Sequence, residues 1–318
     1  MPYVESVCAD APAAPSMVAV AKPAITLFNL CTNFPSSNSL KSSYQTGRWS
    51  ACDGETILGF TQNCAASATL SALSQIVMIR SWMQKRAAPP AQFEPTAPVQ
   101  PFIAVGDVHG RADLLEKLLQ NVPDVPLIFV GDYVDRGDNS ADVLRILQGR
   151  TDITCIAGNH EHMMLKFLRN PEADGPRWLR YGGLQTLASF GVRGIAESTT
   201  GGDLLRARNE LADRMGEELI TWVNDLPASV TAGNVTVVHA GADPALPIDA
   251  QKRRVLQWGH RDFRKTPRQD GMWIVHGHTI VDEAHVENGR IAVDTGAYAT
   301  GRLSAAFIGN GEVLFDEV

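Results

Sequence analysis

Residues 127–137 read LIFVGDYVDRG. Four apolar residues, Leu127 to Val130, run directly into Gly131-Asp132 and then into Tyr133-Val134-Asp135-Arg136-Gly137. A short continuous apolar run closed by glycine and aspartate is the pattern of a strand buried on both faces that ends in a polar loop. The same arrangement stands on either side of it. Upstream, Phe102–Val105 ends in Gly106-Asp107-Val108-His109-Gly110; downstream, Ile153–Ala157 ends in Gly158-Asn159-His160-Glu161. Between the runs, Leu114, Leu115, Leu118 and Leu119 recur at helical spacing. Val143, Leu144 and Leu147 mark the inner face of a helix over 140–148, and another helix begins near Glu161. Strand, polar loop and helix, three times over, predict βαβ units on a buried sheet, an α/β fold.

Further along, a mainly helical insertion is read over 172–225. Val235–Val238 then forms a strand ending at His239, and Met272–Val275 one ending near His276. The tail alternates strands and turns: Ala284–Glu287, Ile291–Val293, Ser304–Ile308 and Val313–Phe315, with Asn288-Gly289 and Asn310-Gly311 as hairpin turns.

The chain has 318 residues, enough for two domains of ~100–200 residues or one large α/β domain with additional sequence. With 44% hydrophobic and 20% charged residues it can build a core, and it is neither collagen-like, coiled coil nor polytopic membrane protein. A formal net charge of −7 leaves no basic field, so nucleic acid is not an expected partner. Five cysteines at irregular spacing, with no CxxC, argue against a disulfide framework and a zinc-thiolate site. Reduced thiols in a cytoplasmic protein are the expectation, with Cys155 buried and inert in its strand.

Residues 1–100 have a different character: rich in Ala, Ser, Thr and Pro, sparse in charge, and ending in AAPPAQFEPTAPVQP over 87–101. They are read as a low-complexity, disordered extension that ends in an extended, poorly packed proline-rich linker, with a short helix around Leu70–Trp82. The uncharged stretch Thr56 to Ile79 has the ~20-residue length of a membrane helix, but Gln62, Asn63, Ser67 and Gln75 make it too polar for one. No secretory signal is read at the N-terminus. All eight histidines follow residue 100, which assigns function to 101–318.

Five polar clusters therefore sit at strand ends: Asp107/His109, Asp132/Asp135/Arg136, Asn159/His160/Glu161, His239, and His276/His278. Ligands of open α/β sheets bind at such ends. Carboxylate, imidazole and amide oxygen without thiolate suit Mn²⁺, Fe or Zn²⁺, and two adjacent ions need a shared carboxylate. A single Gly-Asp is ordinarily a turn and a single His ordinarily a core residue; five clusters in order are a site.

GDVHG, GDYVDRG, GNHE, HAG and GHT resemble the motifs of the calcineurin-like metallophosphoesterases. More narrowly they resemble the bacterial and phage-type branch of the phosphoprotein phosphatases, over about 102–317. WLRYGGLQTLASFG (Trp178 to Gly191) and WGHRDF (Trp258 to Phe263) are similar to the same branch. The resemblance implies a four-layer αββα sandwich with mixed sheets and two divalent ions, Mn first, with Fe or Zn as alternatives. It implies that Asp107 and His109 bind the first metal, that Asp132 bridges, and that Asn159, His239 and His278 hold the second. Arg136 would grip phosphate, with Arg261 as the second arginine. Asp135 would orient His160, the general acid, while His276 would stand outside the ligand set. Glu161 is read as a favourable first-turn charge, Asp294-Thr295-Gly296 as a turn or a lining of the site, and Trp178 and Trp258 as packing residues.

Phosphate monoesters hydrolyse so slowly in water that an enzyme must supply upwards of ~20 kcal/mol. Two metals with a bridging hydroxide, arginine forks and an imidazolium acid are suited to that. The expected activity is in-line attack of metal-bound hydroxide on phosphoserine and phosphothreonine in proteins, or on phosphorylated small molecules. Symmetrical hydrolysis of dinucleoside polyphosphates such as diadenosine tetraphosphate is the alternative, and an inactive phospho-ligand-binding scaffold the third reading.

Overall fold

A computed structural model describes residues 93–318. The expectations made for residues 1–92, including the helix at 70–82 and the polar stretch 56–79, lie outside the described residues. Strand β1 (Phe102–Val105), helix α1 (Ala112–Asn121), β2 (Leu127–Phe129), α2 (Ser140–Gln148), β3 (Ile153–Cys155) and α3 (Asn159–Arg169) form the three strand–loop–helix units. A helical block follows: α4 (Pro171–Trp178), a turn kinked at Gly182 (Leu179–Gly183), α5 (Leu184–Ser189) and α6 (Gly202–Asp225), itself kinked at Gly216. The chain then lays down β4 (Ser229–Ala232), β5 (Val235–Val238), α7 (Arg253–Trp258), β6 (Trp273–His276), β7 (His285–Glu287) and β8 (Arg290–Ala292). A short helix, α8 (Ala297–Thr300), leads into the hairpin β9 (Ser304–Ile308) and β10 (Val313–Glu317).

Two five-stranded mixed sheets result, ordered β10-β9-β1-β2-β3 and β4-β5-β6-β8-β7. The three opening strands are parallel, with Ile103 opposite Leu127 and Leu127 opposite Ile153, and β9 joins β1 antiparallel. In the second sheet β5, β6 and β8 are parallel, and β4 and β7 close the edges antiparallel. The unbroken apolar runs have a direct cause. Side chains alternate across a strand, and both faces of β1 are covered. Ile103 and Val105 pack with Leu115, Leu118, Leu144 and Leu147 beneath the helices. Phe102 and Ala104 pack with Val237, Val275 and Ile291 between the sheets. On the far face of the second sheet a smaller cluster of Val238, Leu256, Phe263 and Ile274 lies under α7. The layers are thus helices, sheet, sheet and a thin outer layer of α7 with its loops.

Asn288 and Gly289, both with positive φ (47° and 75°), make the two-residue turn between β7 and β8. The half-exposed edge strand β4 carries no apolar run and was not legible in the sequence. The proline-rich segment is packed from Phe93 onward, before the expected start at 101. Phe93 packs against Trp273 with tilted rings 5.4 Å apart, and the Trp273 indole N–H donates to the Glu94 carbonyl at 2.8 Å. Buried Thr96 donates its hydroxyl to the Gly309 carbonyl at 2.7 Å, and the Ala97 N–H donates to Asn234 Oδ1 at 2.6 Å. An extended proline segment cannot pair its polar groups within itself, so these seek partners on the turns of both sheets and tie them together. Among the described residues no helix is long and apolar enough to cross a membrane.

Candidate metal centre

The loops after β1, β2, β5 and β6 and the first turn of α3 converge on one point. Their backbone is bent for it. Of six described non-glycine residues with positive φ, five are His109, Asp132, Asp135, Arg136 and His278; the sixth is Asn288 in its hairpin. Such conformations cost ~1–3 kcal/mol each and persist where the surroundings hold them. Two glycines serve the site through space rather than through φ. A Cβ on Gly158 would overlap the Asp132 carboxylate, and one on Gly277 would overlap that of Asp107.

Asp132 is the hub. Its Oδ2 lies 3.2 Å from His239 Nε2, 3.6 Å from His109 Nε2 and 3.9 Å from His160 Nε2. His239 Nε2 also lies 2.8 Å from Asn159 Oδ1 and 3.2 Å from His278 Nδ1. Two donor groups, His109/Asp132/His160 and Asp132/His239/His278, therefore share one carboxylate. The opposite ring nitrogens are anchored: His109 Nδ1 faces the Val134 carbonyl at 2.8 Å, and His239 Nδ1 faces the Val130 carbonyl at 3.0 Å. A proton on Nδ1 would leave the Nε2 lone pair aimed inward for a cation, as metal-binding imidazoles require; on His239 the cation would replace the proton that the nearby carboxylates hold on the ring in its absence. Asp107 accepts the His278 backbone N–H at 3.1 Å. The donors are nitrogen and oxygen with a shared carboxylate, and they fit a pair of divalent cations.

The electrostatics agree with that fit. Burial, with Asp294 and Asp132 nearby, raises the Asp107 carboxyl well above its usual range. Burial alone would raise Asp132 too, but His239 and His160 hold it well below. Burial opposes a charge on His239, yet Asp132 and Asp107 outweigh it and push the imidazole up to about 10. Burial lowers His109 to about 3 and His278 to about 4, leaving both as neutral donors. Several carboxylates thus crowd one dry space, and cations relieve such crowding.

Beside the hub stands a second network. His160 Nδ1–H donates to Asp135 Oδ2 at 2.6 Å. Asp135 also accepts from Trp178 Nε1 at 3.0 Å and from Thr186 Oγ1 at 2.7 Å. Burial works against a charged His160, but Asp132 and Asp135 raise its pKa. Arg136 Nη1 lies 3.2 Å from His109 Nε2, and its guanidinium lies over the Tyr298 ring at 4.8 Å. Arg136, Arg180, Tyr181 and Tyr298 line a cavity of about 370 Å³.

Asp107, His109, Asp132, Asp135, Arg136, Asn159, His160, His239 and His278 are thus brought together. Arg261 is not: its side chain is 87% exposed on the surface turn after α7, and it pairs with Asp262 at 3.4 Å. His276 turns away, its ring edge-on to Phe263 at 5.0 Å. Glu161 is the first-turn acid of α3, as read, and it does more than favour the helix end. It is fully buried and accepts backbone N–H groups from Asp132 (2.9 Å), Tyr133 (2.7 Å), Val134 (3.3 Å) and Gly158 (2.9 Å). It clamps the hub loop to the α3 loop. Trp178 is buried as expected, and it also holds Asp135; Trp178 and Thr186 lie in the stretch 178–191 that resembles the family, but nothing in the sequence paired them with Asp135, and no signal marked Tyr298.

Residues 100–282 match the family model described as calcineurin-like phosphoesterase, and the chain belongs to that family. It is 27% identical over 216 residues to serine/threonine-protein phosphatase 2 of Escherichia coli, covering 63% of this chain and 89% of that one. It is 31% identical over 147 residues to a symmetrical bis(5'-nucleosyl)-tetraphosphatase of Methylococcus capsulatus, covering 45% of this chain and 43% of that one. A crystal structure described as a putative diadenosine tetraphosphatase shares the fold, with a TM-score of 0.50 and 23% identity over 71% of this chain and 97% of that one.

Proposed function

We propose that this calcineurin-like phosphoesterase is a two-metal phosphatase that hydrolyses phosphomonoesters, with phosphoserine and phosphothreonine in proteins as its substrates. The activity resides in residues 101–318. One observation carries the choice. His160 donates its Nδ1 proton to Asp135 at 2.6 Å and turns Nε2 toward the hub, 3.9 Å from Asp132. Phosphoserine departs as an alkoxide and needs a proton as its P–O bond breaks. A nucleotide phosphate leaving from an anhydride is stable as an anion. A buried imidazolium held by a carboxylate suits the first case.

Asp107, His109, Asp132, Asn159, His239 and His278 would hold two divalent cations, manganese first, with iron or zinc as alternatives. When bound, such cations supply positive charge to phosphoryl oxygens and lower the pKa of water. Arg136 presents its planar fork to the phosphate and is steadied by the Tyr298 ring. His160 delivers its Nε2 proton to the leaving oxygen while Asp135 balances the imidazolium.

Similarity to a serine/threonine phosphatase and to a tetraphosphatase supports hydrolysis at phosphorus. A second reading, symmetrical cleavage of diadenosine tetraphosphate, is favoured by Arg180 lining the same cavity as Arg136, with room for a further phosphate. Release of phosphate from a phosphoserine peptide is measured beside cleavage of diadenosine tetraphosphate, both with Mn²⁺. Faster turnover of the peptide is expected. Cleavage of the tetraphosphate alone would overturn the proposal, and inactivity on both would favour a binding scaffold.

A further inference from the structure

Helices α3, α4 and α7 enclose a cavity of about 350 Å³ lined by Lys166, Asp174, Arg177, Arg253, Arg254 and Trp258 among others. Four of these are cations and one is an anion, in a chain whose net charge is −7. The lone carboxylate, Asp174, already faces Lys166 at 3.7 Å. Arg253 reaches the Leu226 carbonyl at 2.8 Å. Arg254 is exposed and, among the described residues, has no ion pair or side-chain hydrogen bond. Its charge is left for something that comes from outside.

The cavity is linked to the metal centre. The Arg177 guanidinium lies 4.9 Å from the Trp258 ring centre and 5.7 Å from that of Tyr181. Tyr181 lines the other cavity, with Arg180 and Arg136. Cations separated by aromatic faces thus run from Arg136 outward to Arg254. Lys166 and Asn159 stand on the same helix, seven residues apart, roughly 10 Å at 1.5 Å per residue. An extended peptide covers that distance in about three residues at ~3.3 Å each.

We propose that this cavity binds an anionic group of the phosphopeptide substrate, about three residues from the scissile phosphoserine, so that the enzyme prefers acidic peptides. The proposal rests on the protein-phosphatase reading above. The anion could be a glutamate carboxylate or a second phosphate, and the Arg and Lys side chains would hold either.

The test compares kcat/KM of the full chain, with Mn²⁺, on three phosphoserine peptides. One has neutral flanks, one has glutamates three residues away on both sides, and one has phosphoserines there. Each acidic peptide is expected to exceed the neutral one about tenfold at low salt, with the ratio shrinking as salt is added. Arg254→Glu and Lys166→Glu should each collapse the ratio, and Arg254→Lys should keep most of it. The ratio is taken within each variant, so a change in folding or turnover cancels. A gain on the triply phosphorylated peptide alone supports the proposal with phosphate as the group read. A ratio near one in the unaltered protein, or a ratio insensitive to charge reversal, would overturn it. Hydrolysis of p-nitrophenyl phosphate but of no peptide would instead overturn the protein-phosphatase reading, and the proposal would fall with it.

Discussion

Replacing Asp135 by Asn separates the acid from the rest of the centre. The carboxylate accepts from His160 Nδ1 at 2.6 Å, Thr186 Oγ1 at 2.7 Å and Trp178 Nε1 at 3.0 Å. An amide keeps one acceptor oxygen and turns an NH2 group toward one of those donors. At least one hydrogen bond to a charged acceptor is lost in a fully buried position, worth ~1.5–3 kcal/mol, and stability should fall by about that much. His160 loses more. Burial disfavours its charge, and Asp135 is one of the two carboxylates that raise its pKa, so the pKa should drop and the imidazole should be neutral where it must donate. The kcat for a phosphoserine peptide should fall ~10²–10⁴-fold, the span of general acid catalysis. With p-nitrophenyl phosphate, whose phenolate departs unprotonated, the loss should stay within about tenfold. Both substrates are assayed with saturating Mn²⁺ across neutral pH, and unfolding is followed separately without metal. Equal losses on the two substrates would refute the assignment of His160 as the acid.

Glu161 makes a pH signature in the metal-free protein: burial, with the Asp132 charge beside it, raises its pKa from 4.5 to about 7. The native state then holds a proton that the unfolded chain has released, so the contribution of Glu161 to stability is fully present below about pH 4.5 and falls by about 3 kcal/mol up to pH 7. Glu161→Gln should flatten that slope in thermal melts, and an unchanged slope would sink the assignment. Gly158→Ala places a methyl group on the Asp132 carboxylate; turnover should drop ~10²-fold with circular dichroism unaltered, whereas near-normal turnover would show that the hub tolerates displacement. Chelation should abolish turnover, and Mn²⁺ at a hundred times its dissociation constant should stabilise the protein by about 2.7 kcal/mol. A melting temperature indifferent to Mn²⁺ would argue against a metal centre.

Three apolar runs ending in Gly-Asp, Gly-Asp and Gly-Asn were enough to place parallel strands with polar loops at one end. Burial on both faces of a strand writes itself into every residue of the run, as Phe102 to Val105 illustrate. The donor types at the strand ends were equally local. What tertiary structure alone decided are the partners. His278 meets Asp107 across 171 positions, and Trp178 meets Asp135 across 43. Glu161 looked like an ordinary first-turn charge until the fold set it beneath four backbone donors. Arg261 looked like a phosphate clamp until its turn was found at the surface. The division has one physical cause. Periodicity reports what each residue's own strand or helix buries, whereas convergence depends on sheet register and on how layers pack, which no stretch of the chain contains by itself.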